Sequence, residues 1–140
     1  TLFLAIVDTK TQKITYARAG HEPALIIRKA NTAEDGSVNE LHGSGMAVGM
    51  VPSEIFDEMI EDNETSFKEG DFLLLFTDGV TETTNEEGHE FSLARLARFA
   101  NSYFQHSPKN FNRKLLAELD AFSSDALERD DITLLSVRRA

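Results

Sequence analysis

The sequence predicts an α+β fold built mostly on antiparallel sheets. Strand-like segments fill the first half of the 140-residue chain, two amphipathic helical segments come late, and one strand-like segment closes the chain. This order is typical of α+β folds, in which short connections join antiparallel strands. No internal repeat, low-complexity tract or linker interrupts the sequence. We therefore expect residues 1–140 to form a single domain.

The first three predicted strands are residues 2–7, 13–19 and 24–28. The first is continuously apolar, and the second alternates apolar with polar side chains. Polar turn residues at 8–11 and 20–23 separate the three segments. Short connections of this kind predict an antiparallel meander.

The next segment is polar and then rich in glycine. Residues 29–39 are predicted to be a loop or a loose hairpin tip. Residues 43–50 contain three glycines but no Gly-Lys-Ser/Thr sequence, so a phosphate-binding loop is not supported. A loop that needs close backbone packing is the favoured interpretation.

Residues 53–67 fit two periodicities, one helical and one extended, and we favour a strand because the segment leads directly into the next strand. Its acidic side chains are interpreted as a solvated surface rather than a metal cluster. They are Glu54, Asp57, Glu58, Glu61, Asp62 and Glu64.

Five consecutive large apolar residues at 72–76 predict a central strand that is buried on both faces. Asp78 and Gly79 end it. A carboxylate at the mouth of a buried strand, followed by a glycine, suits a rigid acid site. The same two residues also suit a plain Asp-Gly turn, and the local pattern leaves both interpretations open.

Two helices and a final strand are predicted after this point. Apolar residues recur at three and four positions from a cap at Ser92 to residue 104. A second helix follows with Ser107 as its cap and Pro108 at its first position. Residues 132–137 read as the closing strand.

Composition excludes several classes of protein. The net charge of −10 repels phosphate backbones and anionic lipid, so nucleic acid and membranes are poor partners. No apolar run approaches the ~20 residues of a spanning helix. The absence of cysteine excludes thiolate metal sites and favours the cytoplasm.

The chain opens on a strand-like segment with no turn or cap before it. We therefore expect a fragment whose neighbouring piece of sheet is missing at the amino end. An uncovered strand edge would also promote pairing between copies, giving a homodimer.

Acidic residues lie directly after one predicted strand and directly before another. Asp78 follows the central strand, and Asp130 and Asp131 precede the closing one. If these two strands are antiparallel neighbours, the three carboxylates converge at one edge of the sheet. Convergent carboxylates repel one another unless a cation lies between them. Hard oxygen ligands favour Mg²⁺ or Mn²⁺.

Three segments carry a resemblance to a known family. Residues 19–23 (Ala-Gly-His-Glu-Pro), 70–82 (with Thr-Asp-Gly-Val-Thr-Glu at its end) and 129–133 (Arg-Asp-Asp-Ile-Thr) occur in this order with strands between them. The chain resembles the PPM-type serine/threonine protein phosphatases of the bacterial SpoIIE and RsbU group. It matches roughly the carboxyl-terminal two thirds of that domain.

The resemblance implies an α-β-β-α sandwich of mostly antiparallel sheets with a two-metal site for Mn²⁺ or Mg²⁺. A metal-activated water attacks the phosphoryl group in this family, so no catalytic residues are expected beyond the metal ligands. By motif, Asp78 and Asp130 correspond to ligands, and Asp131 is an adjacent acid. Gly79 and His21 lie near the site, with His21 expected as a turn residue or a residue behind the ligands.

The resemblance also implies a movable element at residues 80–91. The implied substrate is a phosphorylated regulatory protein, an anti-sigma-factor antagonist by analogy with the family. The family often has asparagine where Glu22 stands. Its early acidic motifs, which include the bridging carboxylate, precede the matched region and are absent. We therefore expect weak metal binding and little activity from this chain alone.

Three other interpretations of the sequence were weighed, and single sequence features argue against two of them. A non-catalytic partner-binding module with the same fold is the main alternative. Another phosphatase class ends a strand in Asp-x-Asp-Gly, but Phe76 replaces its nucleophilic aspartate. A calcium-stabilised domain would need acids at alternate positions in a compact run, which the chain lacks.

Overall fold

The computed structural model describes residues 1–29, 37–123 and 130–140, and its strands form two antiparallel sheets. The first sheet has the order β1-β2-β5. The second has the order β4-β3-β6-β7. The strands are β1 (Leu2–Asp8), β2 (Lys13–Ala19), β3 (Ala24–Arg28), β4 (Ser37–Leu41), β5 (Asn63–Ser66), β6 (Phe72–Phe76) and β7 (Leu134–Arg138).

Helices cover one outer face of this sandwich. The four helices of the described residues are α1 (Ser53–Met59), α2 (Asp78–Thr81), α3 (Ser92–Tyr103) and α4 (Pro108–Ser123). α3 contacts β3 and β4, and α4 contacts β7, so this pair packs on the second sheet. No helix in the described ranges is long and apolar enough to cross a membrane. The predicted α+β class with antiparallel sheets is confirmed.

β6 is the central strand of the second sheet, as predicted, and pairs with β3 and β7. Phe72, Leu74 and Phe76 are buried in the core beneath α3 and α4. Leu73 points the other way, into the core between the two sheets. Burial on both faces explains the uninterrupted apolar sequence, because a strand with one solvent-exposed face would alternate apolar and polar residues.

The predicted meander of three strands is wrong. β1 and β2 pair with each other, but β3 belongs to the second sheet, between β4 and β6. The turn at 20–23, which begins with a positive φ at Gly20, carries the chain from one sheet to the other. Residues 24–27 are all buried, as expected for an inner strand with both faces covered and not for the third strand of a half-exposed meander.

The strand predicted over 53–67 is wrong in its first half. Residues 53–59 form α1, which follows Pro52, and only 63–66 form a strand. Pro52 is the N-cap residue of α1, where its missing N–H breaks no ladder hydrogen bond, as it would within a strand. The acidic side chains of the segment are all exposed. Residues 37–39, predicted as loop, belong to β4, whereas 30–36 lie outside the described residues.

The predicted boundaries of the later elements are partly right. α4 begins at Pro108, and the Ser107 hydroxyl accepts the Asn110 N–H at 3.4 Å, as expected of a cap. Ser92 does not cap α3: it is the first helical residue, has a φ of 67°, and makes no side-chain cap. The N–H of Phe91 is bonded to the carbonyl of Thr83 instead, at 2.7 Å.

The glycine-rich loop packs against the end of β2, which confirms its structural interpretation. A Cβ at Gly45 would collide with the carbonyl oxygen of Arg18. A Cβ at Gly20 would lie 2.8–2.9 Å from the backbone and Cβ of Ala47. The Gly20 N–H donates to the Gly45 carbonyl at 3.0 Å. The loop therefore holds the turn that carries the chain to the second sheet.

Two glycine substitutions separate this packing from backbone strain. Gly20 and Gly49 both have positive φ, but a Cβ at Gly49 meets nothing within 4 Å. Gly49→Ala is expected to lower the free energy of unfolding by about 1–2 kcal/mol, the cost of a left-handed backbone. Gly20→Ala should cost clearly more because the loop must also move. Urea denaturation of both variants checks this, and equal losses would contradict the packing role.

Candidate metal centre

The pairing of β6 with β7 brings two acidic segments to the same rim of the second sheet. The strands are antiparallel, with Phe76 opposite Leu134. The chain that leaves β6 therefore lies beside the chain that enters β7. Asp78 is the first residue of α2, and Asp130 and Asp131 precede β7. The predicted neighbourhood of these two segments is observed.

Thr77 joins the two segments through three hydrogen bonds. Its hydroxyl donates to the Asp131 carbonyl at 2.9 Å and accepts the Thr133 N–H at 2.9 Å. Its own N–H donates to the Thr133 carbonyl at 3.2 Å. These bonds extend the β6–β7 connection by one step beyond the last paired residues. Sequence reasoning did not assign this role to Thr77, although the residue belongs to the recognised Thr-Asp-Gly motif.

Gly79 allows the two segments to touch. It is buried, and an added Cβ would lie 2.7 Å from the Asp131 carbonyl oxygen and 3.1 Å from that of Asp130. Any side chain here would push the 130–131 backbone away from α2. Glycine at position 79 therefore permits a close approach of protein backbone.

The three carboxylates are exposed at this rim. One oxygen of Asp78 accepts the Gly79 N–H at 3.0 Å, and one oxygen of Asp130 accepts the Asp131 N–H at 2.7 Å. These local bonds fix the direction of both side chains. Each carboxylate has lone pairs left for another ligand.

His21 and Glu22 line a small cleft together with Asp78. This cleft of about 50 Å³ is also lined by Thr77. His21 Nδ1 lies 3.0 Å from the Glu22 carbonyl oxygen, and Arg18 donates to the His21 carbonyl. These contacts are those of a turn residue.

The segment after Asp78 is folded back on itself. The buried Thr83 hydroxyl donates to the Gly79 carbonyl at 2.6 Å. The side-chain oxygen of Asn85 accepts the N–H groups of Glu87 and His89, which closes a tight turn. The predicted movement of residues 80–91 stays a prediction.

The rim carries side chains of the kind that bind divalent cations. Exposed carboxylates are suitable donors for Mg²⁺ or Mn²⁺. Within the described ranges, no group of three or more His, Cys, Asp or Glu side chains is arranged to hold a metal. Arg129, the first residue of the closing motif, lies outside those ranges. The donors present fit the metal in kind, while a closed coordination shell needs more of them.

Comparison with known proteins identifies the family. The family model described as Stage II sporulation protein E (SpoIIE) matches residues 1–140, the whole chain. The chain belongs to the SpoIIE family. The resemblance stated from its three motifs is thereby confirmed.

Two relatives of known name align over nearly the whole chain. Protein IcfG of Synechocystis sp. is 28% identical over 142 residues, and Phosphoserine phosphatase RsbU of Bacillus subtilis is 28% identical over 139. Each alignment covers 99% of this chain, but only 20% of IcfG and 38% of RsbU. The SpoIIE-family chain thus spans well under half the length of these relatives.

Solved structures confirm the fold class. The SiaA-PP2C domain of Pseudomonas aeruginosa matches with a TM-score of 0.76 and 22% identity, over 99% of this chain and 51% of that one. The SpoIIE phosphatase domain from Bacillus subtilis, presoaked with Mn, matches with a TM-score of 0.68 and 21% identity, over 99% and 56%. The sandwich is therefore that of PP2C-type phosphatase domains.

The contribution of the Thr77 hydroxyl can be tested with two substitutions. Thr77→Val keeps the shape but removes a donor and an acceptor, and is expected to lower the free energy of unfolding by about 1 kcal/mol. Thr77→Ser keeps both functions and should cost less. Chemical denaturation measures the stability, and the amide resonance of Thr133 should shift only in the valine variant. An unshifted Thr133 resonance would contradict the connection.

Proposed function

We propose that this chain carries part of the metal centre of a PPM-type phosphatase that removes phosphate from a serine or threonine of a regulatory protein. The observation that carries the proposal is the rim at which Asp78 meets the 130–131 segment. Its support is the backbone contact of Gly79 with both aspartates and the family membership of the whole chain. RsbU, a relative over nearly the full chain, is named a phosphoserine phosphatase.

In this proposal Asp78 and Asp130 hold Mn²⁺ or Mg²⁺, and Asp131 is the adjacent acid. A divalent cation at such a site polarises phosphoryl oxygens and lowers the pKa of a bound water. The surrounding residues position the ligands: Thr77 ties the two segments together, and Gly79 leaves room for their contact. His21 forms the neighbouring turn and the wall of the cleft.

The proposed substrate is a phosphorylated anti-sigma-factor antagonist, in keeping with the group of phosphatases that the motifs resemble. Such a protein would be met in the cytoplasm, and the absence of cysteine suits that compartment. Several acids follow Asp78 in the chain, including Glu82, Glu86 and Glu87. A divalent cation would offset their repulsion of a phosphoryl group.

We also propose that the complete domain contains further residues, so that this chain is its carboxyl-terminal two thirds. β1 is an edge strand, and its Leu2, Leu4 and Ile6 side chains are 49%, 55% and 65% exposed. They alternate with Phe3 and Ala5, which pack inward. A sheet face with this much exposed apolar surface is typical of a surface that another element covers.

The space between the two sheets supports the same proposal. On β7, Val137 packs in the inter-sheet core, and Leu135, two residues earlier on that face, is 55% exposed. Beside Leu135 lies an apolar cleft of about 160 Å³, lined also by Leu75 and His21. A further strand beside the free edge of β1 would cover this opening. The cleft reaches Thr77, so the same addition would come close to the metal centre.

A non-catalytic partner-binding module is the second candidate. It is favoured by the short supply of ligands, since the described residues contain no group of three metal-binding side chains. The sequence that precedes Thr1 in the parent protein separates the two candidates. An Asp-x-x-Gly-x-Gly motif there supports the phosphatase, and its absence supports the binding module.

Metal binding at the rim can be measured by NMR. Mn²⁺ is paramagnetic, so at millimolar concentrations it should broaden the amide signals of residues 77–80 and 130–133 before others. Asp78→Asn should remove this selectivity because one ligand is lost. Asp62→Asn, in the exposed acidic segment, changes the net charge equally and should leave the broadening in place. Broadening centred on residues 54–64 instead would contradict the site.

We expect activity to need more metal ligands than the described residues bring together. The 140-residue chain with Mn²⁺ and p-nitrophenyl phosphate should show almost no turnover, because two carboxylates bind the metal weakly. The parent protein should hydrolyse a phosphoserine peptide, and Asp78→Asn should reduce its kcat/KM by about 100-fold or more, as expected when metal activation is lost. Brisk hydrolysis by the chain alone, or an active Asp78→Asn parent, would refute this assignment.

A further inference from the structure

The two long helices carry a positive charge that the rest of the protein does not share. Residues 92–123 contain five basic side chains and two acidic ones, whereas the whole chain has a net charge of −10. The basic residues are Arg95, Arg98, Lys109, Arg113 and Lys114, and the acidic ones are Glu118 and Asp120. The acidic and basic side chains are therefore segregated along the chain.

A groove of about 250 Å³ runs along this surface between α3 and α4. Its floor is aromatic: Phe91 and Phe99 are almost fully buried there, and Tyr103 is partly exposed. Arg95 and Arg98 line the groove from α3, and Glu118 lines it from α4. The groove thus combines a predominantly cationic border with an aromatic floor, of which Tyr103 is the partly exposed member.

Two basic side chains contact aromatic rings: Arg95, which lines the groove, and Lys114, which lies against the groove residue Tyr103. The guanidinium carbon of Arg95 lies 4.8 Å from the centre of the Phe122 ring, and the Lys114 ammonium lies 5.0 Å from that of Tyr103. The ion pairs formed among the described residues join other parts of the chain, such as Lys13 with Glu64. Cation–π contacts leave the outer side of each charge open to an anion.

We propose that the groove between α3 and α4 binds an acidic segment of a partner protein, with an apolar side chain of that segment packed against the exposed part of Tyr103. Arginine and tyrosine are the residue types that most often dominate binding energy at protein interfaces. A negatively charged partner is repelled by most of this molecule and attracted by the basic side chains of α3 and α4. The charge distribution therefore selects both the partner's chemistry and the face on which it docks.

Nothing in this proposal requires the metal centre, so the two can fail separately. The groove borders Phe91, the last residue of the segment 80–91 that follows Asp78. The N–H of Phe91 donates to the carbonyl of Thr83 within the same segment. A partner in the groove would consequently lie at the far end of that segment. The test concerns binding alone.

Binding can be followed through tryptophan fluorescence because the chain contains no tryptophan. The probe is a synthetic peptide of twelve residues with one central tryptophan and glutamate and serine elsewhere. On titration with the 140-residue chain, we expect a blue shift of the emission, saturation, and weakening as salt is added. A peptide with lysine in place of every glutamate should give no shift.

Matched charge reversals locate the binding. Arg95→Glu/Arg98→Glu should weaken binding by about tenfold or more, as expected when attraction at an interface becomes repulsion. Lys109→Glu/Arg113→Glu changes the net charge equally, but both residues lie on α4 outside the groove. This control should weaken binding less than threefold. Arg98→Glu alone is the second variant, because Arg95 contacts Phe122 and its loss could disturb folding. Circular dichroism checks that each variant is folded.

Three results would overturn the proposal. One is the absence of a shift with the acidic peptide at 1 mM. Another is an equal loss in the two double variants, which would indicate a general charge effect. The third is self-association in sedimentation experiments that Arg95→Glu/Arg98→Glu abolishes, which would assign the groove to the acidic residues 54–64 of a second copy.

Discussion

The antiparallel pairing of β6 with β7 is the constraint on which the rest of this structure depends. It places the end of one strand beside the start of another, although the two are more than fifty residues apart in the chain. Thr77 continues the pairing past the last strand residues, and Gly79 lets the 130–131 backbone approach α2. Without this register, Asp78 and Asp130 would have no reason to share a rim.

The location of the site follows from how the sheet is buried. β6 is covered on both faces, by α3 and α4 on one side and by the first sheet on the other. A strand held in this way moves little, so the acid that follows it has a rigid support. The first sheet is covered on its inner face, while the Leu2, Leu4 and Ile6 side chains on its outer face are exposed. The doubly covered β6 of the second sheet therefore provides the support for the site.

Features that depend on residues close together in the sequence could be predicted, whereas those that depend on contacts between distant residues could not. β6 was predictable from its long apolar run, and the start of α4 from Ser107-Pro108, because both signals are local. The neighbourhood of the two acidic segments was predictable because the Asp-Gly motif matches a family pattern. The placement of β3 in the other sheet was not, because the turn after Gly20 can lead either to a hairpin or to a crossing between sheets. α1 was missed because its apolar residues fit two periodicities. The cleft beside His21 and the connecting role of Thr77 arise only from tertiary contacts.

Asp78 and Asp130 are proposed to bind the same divalent cation. The most direct test is a crystal structure of the parent protein grown with Mn²⁺, with diffraction recorded at the manganese absorption edge. An anomalous difference peak bonded to carboxylate oxygens of both residues is the result expected. A peak elsewhere, such as among the acids of residues 54–64, with none at this rim, would contradict the claim.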